Sequence, residues 1–308
     1  MKKIKDILSN QIALLTVILI GISIVVTVLN PKFIEINNLK NIFVQISVVA
    51  IMALGAGIVI ISGGLDISVG SMVSLLAVTC AWMINNGVPV LFAVAVTIII
   101  AGSCGFLNGI LAAKTRVSPF IITLGTMSIF SALSLVVSKG HSWLLMGKFQ
   151  YLGRARILGI HFPSYVMAIT FILMFLFLRY TRTGRRFFGI GGSEEVAFLS
   201  GINVNGYKIL VYVINALLVC LASLILISRI GSALSTAGSG LELRAIAAAI
   251  IGGTSLQGGR GKVLGIFLGA LLLGVISNML SILNLSAHFQ SIILGVVIVT
   301  AVTIGRKK

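Results

Sequence analysis

Six carboxylates, three histidines and three cysteines are the residues of this 308-residue chain that could carry catalysis or hold a metal. The acids are Asp6, Glu35, Asp66, Glu194, Glu195 and Glu242. General acid and base work needs two such groups facing one substrate, and no two of these are placed to pair within an apolar segment. His141, His161 and His288 fall in or beside loops, and Cys80, Cys104 and Cys220 lie in apolar runs with no CxxC or Cys/His spacing. The expectation is a chain that is not an enzyme and binds no metal or cofactor. Ion-coupled carriers also place ionisable groups within their spans, and none is central here.

Where the sequence does spend polar residues, it builds local structure. Ser193 is a good N-cap, Glu194 and Glu195 follow where a helix dipole favours negative charge, and Gly201 supplies a left-handed stop after Ser200. Gly191-Gly192 reads as the end of an irregular approach. A helix of about two turns is expected, with Val196 and Leu199 three apart and Phe198 and Ile202 four apart, beside Ala197. Such an apolar face belongs either in the headgroup layer or on a cytoplasmic partner. Asp66 lies in a glycine-rich break between Gly64 and Gly70, followed by Ser68. Its oxygen suits a cap on a helix starting near Ile67, and a part in gating or partner contact is the alternative. Asn108, Thr123, Thr126, Asn215, Asn278 and Gln290 lie in apolar runs, where they either line a solute path or join helices by hydrogen bonds.

The elements that must position these residues are membrane helices. Of the chain, 58% is apolar and 9% charged, against about 25% charged in a soluble domain, with a mean hydropathy of +1.16. Charge-free stretches run at 11–29, 41–64, 67–84, 88–113, 117–138, 163–178, 209–228, 245–257, 263–283 and 286–304. A crossing takes about 20 residues, so about ten crossings are expected, the eighth being short. The net charge of +17 would suggest nucleic acid in a soluble chain, but the bases are spread singly through short loops. Placing both termini in the cytoplasm puts 15 of the 23 Lys and Arg on that side. The single transmembrane domain, 1–308, then carries an exterior loop at about 139–162, with Trp143, Phe149 and Tyr151, and an interior loop at about 179–208. All other connections are of turn length. A faint echo is present: Ile60-Ile61 with Gly63-Gly64 and Gly70 has the spacing of Ile250-Ile251 with Gly252-Gly253 and Gly259.

Four blocks carry a family resemblance. Gly191 to Ile202 resembles the cytoplasmic coupling-loop signature of the permease subunits of ribose-type (branched-chain amino-acid/ribose) ABC importers. Ser62 to Ser71, Ser118 to Thr126, and Ile246 to Gly261 are similar to further blocks of that family, in its order, and Leu107-Asn108-Gly109 agrees. Ser193 stands where the family commonly has asparagine, which keeps the capping chemistry, and Phe198 replaces a more usual polar residue. The resemblance covers about Asn37 to the carboxyl end. It implies a multi-pass protein of the bacterial inner membrane that translocates ribose or a similar monosaccharide. It also implies a second permease copy, a periplasmic or lipid-anchored sugar-binding protein, and cytoplasmic ATPase subunits that hold ATP and Mg. On this reading residues 192–197 and 199–201 couple to the ATPase, and the competing class is a stand-alone secondary carrier or facilitator.

Overall fold

A computed structural model describes residues 11–115 and 117–305 of the chain. Met1 to Asp6, Arg116 and Arg306 to Lys308, on which part of the charge argument rests, lie outside the described residues. The fold is helical: α1 (Gln11–Leu29), α2 (Ile36–Ile61), α3 (Val69–Asn85), α4 (Val90–Lys114), α5 (Pro119–Ser138), α6 (Tyr151–Arg154) and α7 (Phe162–Tyr180). It continues as α8 (Arg182–Gly192), α9 (Glu194–Leu199), α10 (Val204–Ile230), α11 (Leu241–Ile251), α12 (Val263–Ile282) and α13 (Ala287–Gly305). Each of the ten charge-free stretches overlaps one of these helices, because a backbone in lipid must satisfy its own amides and carbonyls. Among the described residues, α1, α2, α4, α5, α7, α10 and α12 are long and apolar enough to cross a membrane. The chain is an integral membrane protein.

Central α2 is almost wholly buried against α7, α10, α11 and α12, while α1 exposes most of its surface. Two small-residue pairs let backbones meet. Gly105 and Gly109 bring α4 onto the backbone of Tyr212, Val213 and Ile209 in α10, and Gly265 and Gly269 bring α12 onto Ala248 of α11 and Gly252 just past its end. The three cysteines are buried and free.

Three expectations change. Residues 182–192 are helical, not irregular: Thr181 Oγ1 accepts the Gly184 amide at 3.0 Å, and buried Phe187 and Ile190 hold α8 to the bundle against its poor glycine-rich propensity. The connection from Ile230 to Leu241 is more than a turn. Its strand β4 (Ser232–Ala233) pairs antiparallel with β1 (Trp143–Leu144), so that Trp143 faces Ala233. The 139–162 segment thereby folds onto the end of α10, with Leu145 buried and the Gly153 amide donating to Ser228 Oγ at 2.8 Å. Its second half is a hairpin of β2 (Arg156–Ile157) and β3 (Ile160–His161). His161 is therefore not a free surface side chain: Arg156 Nε donates to its Nε2 at 3.0 Å, and burial with the charges of Arg156 and Lys40 lowers its pKa.

Candidate functional site

The short helix α9 is specified locally. Ser193 is extended, and its Oγ accepts the Val196 amide at 3.3 Å. Gly201 at φ +77 ends the helix, and the Ile202 amide reaches back to the Ala197 carbonyl at 3.1 Å, the bond of a Schellman close. Ser200 Oγ donates to the Val196 carbonyl at 2.8 Å. Of the acids, Glu194 is 2.5 Å from Lys208 at the start of α10, so this chain itself supplies a base for it. Glu195 stays exposed. Val196, Phe198 and Leu199 are 62%, 70% and 77% exposed, an apolar triad carried outside the bundle. A six-residue helix does not hold its own shape in water, so the ion pair and the close maintain it.

Behind α9, glycine backbones interlock. The Gly259 amide donates to the Ile61 carbonyl at 2.8 Å, and Gly191 lies against both groups, so a Cβ there would strike the Ile61 oxygen. Gly258 and Gly259, both at positive φ, pack on Gly191 and Gly192. The C-terminal end of α8, the end of α2 and the turn after α11 thus meet without side chains between them. The two echoed glycine turns close alike. Ser62, Gly63 and Gly64 donate to Ile58, Ile60 and Val59, and Gly252, Gly253 and Thr254 donate to Ala248, Ile250 and Ala249. Gly63 and Gly253 take φ of +84 and +94.

The break after the first turn centres on Asp66, which is 1% exposed. Its Oδ1 accepts the Ser68 amide at 3.0 Å and the Ser68 hydroxyl at 2.6 Å, and its Oδ2 accepts from Asn215 Nδ2 at 2.9 Å. Asn108 Nδ2 donates to Ser68 Oγ at 2.8 Å. Tyr212 donates to the Leu65 carbonyl at 3.2 Å, and Thr123 Oγ1 accepts the Ile67 amide at 3.2 Å. Asp66 therefore closes a two-residue side-chain turn ahead of a helix that begins at Val69; it does not cap one beginning at Ile67. The expectation that no ionisable residue is central also fails, since this carboxylate lies inside the bundle.

Three of the six polar candidates, Asn108, Thr123 and Asn215, converge on this break from α4, α5 and α10. The other three lie apart. Gln290 Nε2 donates to the Leu285 carbonyl at 2.9 Å. Thr126 bonds the Thr123 carbonyl of its own helix at 3.3 Å. Asn278 exchanges reciprocal amide bonds with Asn38 at 2.9 and 3.0 Å, tying α12 to α2. Gly64 lies beside the Tyr212 hydroxyl, and Gly70 faces the backbone of Gly238 and the carboxylate of Glu242. Sequence reasoning passed over Glu242 and the Ser235 to Gly240 run. The one available signal was six small and hydroxylated residues in succession, STAGSG, within an apolar half of the chain.

A buried polar break, a clasp of glycine backbones and an exposed short helix on a largely helical scaffold define a membrane permease. A family model described as branched-chain amino acid transport system / permease component matches residues 38–302, and the chain belongs to that family. It is 42% identical over 305 residues to the ribose import permease protein RbsC of Escherichia coli (strain K12), covering 97% of this chain and 93% of that one. It is 41% identical over 288 residues to RbsC of Bacillus subtilis (strain 168), covering 92% and 89%. To the D-allose transport system permease protein AlsC of Escherichia coli (strain K12) it is 37% identical over 282 residues, covering 90% and 86%. Among solved structures, PsaBC from Streptococcus pneumoniae in complex with Fab matches with a TM-score of 0.52 at 18% identity over 89% of this chain and 93% of that one, a likeness of fold alone. The family is a transport permease component and not a catalytic enzyme, and the chain is a multi-pass inner-membrane protein.

Proposed function

We propose that this chain is the membrane-spanning subunit of an ATP-driven importer that moves ribose or a similar monosaccharide inward, the class of solute named for its relatives. The chain forms one domain over 1–308, crosses ten times and keeps both termini in the cytoplasm. Two copies, or two related chains, form the conduit. A binding protein delivers sugar to the face carrying 139–162, and ATPase subunits holding ATP and Mg dock on the face carrying 179–208. Those two faces lie at opposite ends of α10, which at 27 residues is about 40 Å long.

The observation that carries this reading is α9. A helix with a cap, a close and an ion pair, presenting Val196, Phe198 and Leu199 outward, is built to be held by something else. Gly192, Ser193, Glu194, Glu195, Ala197, Ser200 and Gly201 set its position, and the glycine clasp at Gly191 relays its movement to α2 and the Asp66 break. That break, with Gly64, Ser68 and Gly70, serves as the gating element. The bonds made by Asn108, Thr123, Asn215 and Asn278 support a helix-joining role for them over lining the sugar path.

The test is the double variant Val196→Asp with Leu199→Asp, in a complex reconstituted with its ATPase and binding protein. An unpaired charge buried in that contact costs about 3–5 kcal/mol. The variant is expected to insert and dimerise but to lose ATPase association and sugar uptake. Copurification with the ATPase and uptake at the unmutated rate would make α9 a headgroup-layer helix. Uptake by the chain alone, without ATP or binding protein, would restore the stand-alone carrier.

A further inference from the structure

The eighth crossing is only half helical. With 11 residues, α11 spans about 16 Å, roughly half of the hydrocarbon core. The other half is the non-helical run 234–240, which turns three times in succession: the amides of Ala237, Ser239 and Leu241 donate to the carbonyls of Leu234, Thr236 and Gly238 at 3.1, 3.0 and 3.0 Å. Two further bonds pin it. The Gly238 amide donates to Ser74 Oγ at 2.9 Å, and the Gly240 amide donates to Glu242 Oε1 at 3.1 Å. Irregular backbone at membrane depth is stable only where protein buries it or where it lines an aqueous cavity.

This run lines a cavity of about 460 Å3, between it, α3 and α5. Hydroxyls face it from two sides, Ser128 and Ser131 of α5 and Ser235, Thr236 and Ser239 of the run, with the carboxylate of Glu242 beneath. The hydroxyls of Ser131, Ser235, Thr236 and Ser239 bond to no group among the described residues. Glu242 commits Oε1 to the Gly240 amide, while Oε2 lies over Gly70, where any side chain would collide with it. The glycine therefore makes room for the acid.

We infer that this cavity is a transit station for a neutral polyol, in which Glu242 and the surrounding hydroxyls bind the hydroxyls of a monosaccharide during its passage. The inference rests on the importer reading above and supplies the solute path that Asn108, Thr123 and Asn215, spent on the Asp66 break, do not. The chemistry selects the class. A hydroxyl group both donates and accepts, so it pairs with Ser and Thr hydroxyls in either sense and donates to a carboxylate. No lysine or arginine lines the cavity, and its one charge is negative, which disfavours phosphorylated sugars and amino-acid carboxylates. No aromatic ring is present for a sugar to stack on, which suits a place the solute must leave.

The experiment uses the complex of the full chain with its ATPase and binding protein in proteoliposomes, with radiolabelled ribose and 2-deoxyribose as probes. Glu242→Gln and the double variant Ser131→Ala with Ser239→Ala are compared with the unmutated chain, assembly being followed by copurification. For Glu242→Gln we expect ribose uptake to fall about tenfold, the size of one lost charge-assisted hydrogen bond, and the ribose to deoxyribose ratio to narrow in both variants. A uniform loss for both sugars at an unchanged ratio would assign the residues a merely structural role and overturn the station, as would uptake at the unmutated rate. If Glu242→Gln does not assemble, the double variant decides. Uptake by the unmutated complex that requires Na+, abolished by Glu242→Gln, would make the cavity a cation site. Failure of the unmutated complex to move any monosaccharide would refute the importer reading itself, a different result from a variant that transports unchanged.

Discussion

The helical scaffold is broken at two places, 62–68 and 234–240, and the two breaks are resolved in opposite ways. In the first, five side chains from three helices and the break itself, Asp66, Ser68, Asn108, Thr123 and Asn215, bond to each other and to the freed backbone. In the second, tight turns and bonds to Ser74 and Glu242 hold the backbone, and the hydroxyls of the run are left facing a cavity. The first turn of α3, just past the first break, touches the second, Gly70 against Gly238. One is closed and specifies how helices sit; the other is open and has polar capacity to offer a solute. A carboxylate whose two oxygens both accept hydrogen bonds inside the bundle is held in place, so the lesson is that a carboxylate marks framework at one break and a site at the other, according to how many of its oxygens the chain itself fills.

The largest expected effect comes from emptying the closed break. Asp66→Ala leaves the Ser68 amide and hydroxyl and the Asn215 amide without their acceptor, at roughly 1–3 kcal/mol per stranded buried group. Thermal unfolding of the purified chain in detergent should show a drop large enough to impair insertion. Asp66→Asn should lose much less, because Asn215 Oδ1 has no partner and turning that amide offers it to the new donor. Glu242→Ala, by contrast, frees only the Gly240 amide and should unfold within a few degrees of the unmutated chain. Equal losses for the two alanine variants would erase the distinction between the breaks.

Next in size is a matched pair at the clasp. Gly191→Ala drives a methyl into the Ile61 carbonyl at the end of the helix leading to the closed break, and overpacking of this kind costs about 1–3 kcal/mol. Gly192→Ala has open space around it and should be nearly silent. We expect Gly191→Ala to keep its ATPase bound yet transport poorly, as measured by uptake per ATP hydrolysed; equal behaviour of the two variants would detach α9 from the Asp66 break.

What the sequence disclosed and what it hid follow from the range of each interaction. The cap and stop of α9 were legible because Ser193 and Gly201 act on backbone within four residues. Helices were legible as charge-free runs, but their ends were not: α10 begins at Val204, five residues ahead of the apolar run, because Lys208 is carried on the helix to meet Glu194. The helicity of α8 was hidden, since four glycines and three arginines in 182–192 argue against it locally and only packing at Phe187, Ile190 and Gly191 decides. Asp66 and Asn215 are 149 positions apart, and no local pattern shows that they meet. The depth of 234–240 was equally hidden, because a run of Ser, Thr and Gly reads as a surface turn until its neighbours are known.

The smallest expected effect sharpens the comparison by supplying a pair that belongs to neither break. Asn38 and Asn278 exchange two amide hydrogen bonds between α2 and α12, with Asn38 also donating to the Phe33 carbonyl at 2.8 Å. Polar pairs between membrane helices average about 0.6 kcal/mol, because each partner finds substitutes when separated. Asn278→Leu should therefore cost on the order of 1 kcal/mol, and Asn38→Leu with Asn278→Leu should recover most of it, both amides having been removed together. Sugar uptake by the double variant should stay within about twofold, the behaviour of a helix clamp. A double-mutant cycle on Asp66 and Asn215 should give a clearly larger coupling, since Asp66 Oδ1 also holds the Ser68 turn and its loss releases several partners at once. If the two cycles returned the same small coupling, the closed break would be a set of independent pairs, and its rigidity, on which the contrast with the open cavity depends, would have no energetic basis.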